Sequence, residues 1–74
     1  MLMRMIPQFV PAPIAWNVEF QLKDMLVVYP VLGWTFDGQT VYTQVVDDNG
    51  GVIELSALFH NIRAMSYALV RADV

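Results

Sequence analysis

The chain reads as a mainly β protein with one short helix, an α+β domain whose strands form a small barrel or a curled antiparallel sheet. Three observations carry this reading. Apolar and polar residues alternate from Trp16 to Leu22, two glycine-containing turn signals separate runs of β-branched and aromatic residues, and helical spacing occurs once, between Ser56 and Met65. Alternation with period 2 marks a strand with one buried and one wet face, whereas an amphipathic helix repeats every three to four residues.

Residues 1–14 combine Met, Ile, Phe and Val with Pro7, Pro11 and Pro13. Proline lacks the backbone donor and fixes φ, so this stretch is unsuited to a helix or a central strand. It is expected to be an extended arm of polyproline character, ahead of a β domain that occupies residues 15–74. Trp16, Val18, Phe20 and Leu22 then alternate with Asn17, Glu19 and Gln21, which makes this the clearest strand. Lys23-Asp24 marks a turn. The apolar run from Met25 to Phe36 exceeds an average strand and contains Pro30 and Gly33, so a bend or bulge is expected within it.

Asp37-Gly38 fits a two-residue hairpin turn, since a type I′ turn needs positive φ at both central positions. That turn pairs Phe36 with Gln39, Trp34 with Val41, Leu32 with Thr43 and Pro30 with Val45, and it sets Tyr42 over Gly33. The next turn, Asp47-Asp48-Asn49-Gly50-Gly51, admits two registers. A two-residue loop pairs Val45 with Glu54 and puts a carboxylate on an apolar face, where an unpaired charge is costly. A three-residue loop with Gly50 left-handed pairs Val45 with Ile53 and leaves Glu54 beside Gln44, and it is the register expected.

Ser56 is suited to cap a helix near residues 56–65, with Leu58, Phe59, Ile62 and Met65 at helical spacing. Residues 66–74 could extend that helix, and the alternation of Tyr67, Leu69 and Arg71 favours an edge strand instead. With the arm, a strand, a three-stranded meander, the helix and a last strand in this order, an SH3-like topology is one that fits.

The chemistry of the chain is sparse. His60 is the one histidine and cysteine is absent, so thiolate metal sites, disulfides and His-dependent nucleophile sets lack their parts. Ser56 and Ser66 have no flanking nucleophile-elbow glycines. Aligning Gly50 with the glycine of a calcium loop puts Val45 at the first ligand position and Ser56 at the last, so Asp47, Asp48 and Asn49 read as turn formers. Glu19 and Glu54 fall on polar sides of their strands, and the glycines match no phosphate-binding spacing. No catalytic residue, cofactor or metal is expected, and the chain is read as not an enzyme.

Composition bears on partners. Apolar residues make up 57% of the chain and charged residues 15%, a balance that leaves more apolar side chains than a 74-residue domain can enclose. Arg4, Lys23, Arg63 and Arg71 are scattered and the net charge is −3, which disfavours a phosphate backbone as partner. The longest charge-free run, Met5–Val18, has 14 residues and three prolines, short of the about 20 needed to span a bilayer. Without cysteine, a reducing, cytoplasmic address is expected. The expected role is therefore a non-catalytic interaction or assembly protein whose partner is another copy of itself. The alternative is a small inhibitor or adaptor docking a different protein, as compact proteins of viruses and mobile elements do. The contact candidates are Ile6, Phe9 and Val10 on the arm, and Tyr29, Val31, Tyr42, Val46 and Val52, which the expected registers gather on one sheet face.

Overall fold

A computed structural model describes residues 8–72. Five strands and one helix follow one another as β1 (Gln8–Gln21), β2 (Leu26–Phe36), β3 (Val41–Val46), β4 (Val52–Glu54), α1 (Leu55–Asn61) and β5 (Ser66–Arg71). The strands form one sheet in the order β4-β3-β2-β1-β5, antiparallel at every junction. The sheet is mainly β with a single short helix as expected, and it is not closed into a barrel: β4 and β5 are its two ends. The last segment is a strand, paired along β1 from Trp16↔Arg71 to Gln21↔Ser66.

The alternation of β1 sets the inner face. Trp16, Val18 and Phe20 share a side with Val31, Tyr29 and Val27 of β2 and with Arg71, Leu69 and Tyr67 of β5, because directly paired residues project to the same face. Helix α1 lies on that side. The core consists of Val18, Phe20, Tyr29, Val31, Val45, Leu55 and Leu58, with Trp16, Val27, Trp34, Ile53, Phe59, Ile62 and Ala64 packed against it. Phe20 stands at its centre, edge-on to Tyr29 at 5.9 Å and tilted against Phe59 at 6.2 Å between ring centroids. Such pairs add to the burial of a large apolar side chain.

Residues 8–11 are neither free nor polyproline-like in their partners: they extend β1 and pair with residues 33–36 of β2. The prolines are accommodated because β5 flanks β1 only from Trp16 onward, so Pro11 and Pro13 have a strand on one side alone. Between Pro11 and Trp16 the register slips, and β1 absorbs extra residues opposite a single Leu32.

The bulge expected in the Met25–Phe36 run is located at Leu32. Val31 pairs with Val45, yet Gly33 already pairs with Gln44, so Leu32 has no partner on β3 and the side-chain alternation of β2 reverses across it. The first hairpin differs from expectation. Phe36 pairs with Val41 and Trp34 with Thr43, a four-residue connection in place of two. Asp37 keeps a negative φ, and Gly38 alone takes positive φ there (96°). The Asp37 carboxylate accepts hydrogen bonds from the Gln39 and Thr40 amides at 2.9 and 2.8 Å, so its side chain makes the turn that its backbone was expected to make.

The second hairpin has the register expected, with Gln44↔Glu54, Val45↔Ile53 and Val46↔Val52. Gly50 is left-handed at φ 78°. Asp47 closes the loop through its amide to the Gly51 carbonyl at 2.9 Å, while its carboxylate accepts from the Asn49 and Gly51 amides at 2.9 and 2.8 Å. The helix is shorter than the span 56–65 and starts one residue earlier. Its cap is Glu54, whose carboxylate accepts from the Ala57 amide at 3.2 Å and from the Ser56 hydroxyl, so Ser56 supports the cap without being it. At the other end Arg63 turns left-handed (φ 56°) and the Ala64 amide reaches back to the Phe59 carbonyl at 3.0 Å. That reversal frees Met65 to donate to the Gln21 carbonyl and begin the approach to β5.

Candidate interaction surface

The contact candidates do not lie on one face. The Leu32 bulge turns Tyr29 and Val31 to the inner side with Val45, where both are buried in the core. Tyr29 is tied down further by its hydroxyl, which donates to the Asp48 carboxylate at 3.1 Å. Burial first, then this hydrogen bond and the charges of Asp48 and Asp47, raise the pKa of its phenol above the ordinary value. The expected row of Tyr29, Val46 and Val52 therefore reduces to the pair Val46↔Val52, with Val46 half-buried and Val52 exposed. Tyr42 is exposed on the same outer face as Gln44, opposite Thr35.

The arm candidates divide. Phe9 and Val10 are both exposed, but they belong to opposite faces of β1, while Ile6 lies outside the described residues. Phe9 takes the place over Gly33 that was expected for Tyr42: a methyl group built on Gly33 would lie 2.7 Å from the tip of the Phe9 ring. The residue opposite Gly33 on β3 is Gln44, and the aromatic cover comes from β1 on the other side.

What the strands bring together instead are two apolar areas. On the outer face, which no described element covers, Leu26 and Val28 are each 49% exposed, and Ala68 and Val70 of β5 lie on the same side across Asn17, Glu19 and Gln21 of β1. At the far end of the inner face, beyond the helix, Val10 and Trp34 sit side by side and Phe36 is paired with Val41; Val10, Phe36 and Val41 are exposed. Leu26, Val28, Phe36 and Val41 were not among the sequence candidates. The signal for Leu26, Val28 and Phe36 was the largely apolar run of β2, which gives both faces of one strand apolar side chains; Val41 opens β3 opposite Phe36.

The groups with chemical potential stay apart. Glu19 on β1 and Glu54 at the end of β4 are separated by β2 and β3, at least about 14 Å at the usual strand spacing, and they are offset along the strands as well. His60 is exposed on α1 with its ring edge-on to Phe59 at 6.0 Å. Asp47 and Asp48 are engaged in the turn and with Tyr29. Among the described residues no three acidic or histidine side chains gather, and no pocket indents the surface. No described helix is long and apolar enough to cross a membrane.

The chain matches no protein-family model, no curated protein and no solved structure. Its surface is therefore read from its own geometry.

Proposed function

We propose that this is a non-catalytic interaction or assembly protein that acts as a homo-oligomer. One observation supports the reading above others: a single seven-residue helix covers a five-stranded sheet, so apolar side chains such as Leu26, Val28, Phe36 and Val41 stand exposed on both faces. A sheet face that meets only water carries polar residues; on the outer face Asn17, Glu19 and Gln21 of β1 follow that rule, whereas Leu26 and Val28 beside them on β2 do not. Contiguous exposed apolar surface marks contact with another macromolecule. The partner proposed is another copy of the chain, since most soluble oligomers are built from copies of one chain.

Thermal unfolding across a dilution series tests this. Association stabilises the folded chain by mass action, so the melting temperature rises with protein concentration. A melting temperature constant over a hundredfold dilution contradicts self-assembly and transfers the same surface to the second reading, a small inhibitor or adaptor that docks a different protein.

A further inference from the structure

We infer that two copies join through the outer edge of β5, in antiparallel register about a two-fold axis at Ala68. This rests on the self-assembly reading and names one contact of the assembly, at the end of the sheet away from Phe36 and Val41. The Ala72 amide donates to the Ala15 carbonyl at 2.9 Å, which fixes which backbone groups of β5 face β1. Hydrogen-bonded pairs alternate along an antiparallel ladder, so Ser66, Ala68 and Val70 bond inward, while the amides and carbonyls of Tyr67 and Leu69 point away from the sheet.

Of the two end strands of the sheet, β4 is blunted and β5 is not. The outer side of β1 from residue 8 to 14 carries Pro11 and Pro13, and β4 has three residues and runs straight into α1. Prolines and short strands are the usual guards against edge pairing. From Ala64 to Val70 the chain contains no proline, glycine or charge, and the one charge of β5, Arg71, closes the strand beyond the Tyr67–Leu69 segment. A chain of net charge −3 meets its own copy there without opposing like charges.

The register follows from the outward groups. Tyr67 of one copy pairs with Leu69 of the other and Leu69 with Tyr67, giving four hydrogen bonds, while Ala68 lies opposite Ala68 of the second copy. Tyr67 and Leu69 are 53% and 38% exposed although they belong to the helix-covered face, because they lie at its margin. Pairing sets each against the other's counterpart, an aromatic with an aliphatic residue directly across a strand boundary. A two-fold axis perpendicular to the sheet keeps both helices on one side of a ten-stranded sheet, and the seam between them is lined by these side chains.

The chain has no cysteine, so a single introduced thiol reads the register. At the two-fold, the Ala68 Cα atoms of the two copies stand about 4.5 Å apart as a non-hydrogen-bonded pair, within disulfide reach. The Leu69 Cα atoms are displaced diagonally to about 8 Å, beyond it. Under mild oxidation, Ala68→Cys should convert most of the protein to a covalent dimer, and Leu69→Cys should form no disulfide and run as single chains in denaturant without reductant. Both substitutions are at exposed positions, and circular dichroism of the reduced proteins checks that they fold. An assembled wild-type protein in which Ala68→Cys does not cross-link overturns the edge contact while leaving self-assembly standing. Cross-linking of Leu69→Cys in its place overturns the register. A wild-type chain of single mass overturns both readings.

Discussion

Gly33 is the residue at which two strands come too close for a side chain. A methyl group there would lie 2.3 Å from the Val10 carbonyl oxygen and 2.9 Å from the Pro11 Cα, backbone atoms that move only with their strand. Gly33→Ala is therefore expected to lower stability by about 1–3 kcal/mol, the usual range for forcing a methyl into filled space. A urea midpoint unchanged from wild type would count against the close approach. The sequence signalled a special place at Gly33 but assigned its aromatic neighbour to Tyr42. The error came from distance along the chain: the pairing of residues 8–11 with 33–36 has no local signature, because a proline-containing segment shows no alternation. Tyr29 gives a second expectation at this scale. Its folded pKa lies above the unfolded value, so its contribution to stability is complete below about pH 10, the ordinary tyrosine range, and is lost as pH rises through the higher folded value. Tyr29→Phe removes the bond to Asp48 and should cost about 0.5–1.5 kcal/mol at neutral pH. It should also flatten the fall in stability above pH 10, as measured by denaturant titration at several pH values.

At the scale of elements, the turns decide what was legible. The loop from Asp47 to Gly51 is legible in the sequence because burial of a charge discriminates between its two registers, and the register without Glu54 on the apolar face is the one formed. The loop at Asp37 is not legible in the same way, because the Asp-Gly pair suits a two-residue turn equally well and only the side-chain hydrogen bonds from Gln39 and Thr40 distinguish the longer connection. That choice, together with the Leu32 bulge, moved Tyr29 and Val31 from the expected contact face into the core. The helix start shows a similar competition. Ser56 and Glu54 are both able to cap, and Glu54 prevails because β4 delivers it extended, with φ −72° and ψ 140°, directly ahead of the helix. Glu54→Ala should therefore destabilise the protein by roughly 0.5–2 kcal/mol, the range for losing an N-cap. Ser56→Ala should have the smaller effect, since it deletes only a support of that cap. Equal losses in chemical denaturation would return the cap to Ser56.

For the molecule as a whole, the sheet determines how little can be enclosed. With principal extents of 53 × 27 × 21 Å, the described chain is elongated along its strands, and the helix sits over part of that length. The excess of apolar residues was legible from composition, and the structure gives it places: the outer side of β2, the far end of the inner face, and the edge strand β5. Which residues occupy those places was only partly legible, since Phe9, Val10, Tyr42 and Val52 are exposed as contact candidates should be, whereas Tyr29 and Val31 are not. Under the proposed self-assembly, another copy of the chain covers apolar surface of this kind. Light scattering coupled to gel filtration at about 100 μM, well above the micromolar constants of many transient contacts, measures this most directly. Self-assembly gives a mass that is a multiple of 8.4 kDa, beginning with the dimer. A single-chain mass at that concentration would contradict it.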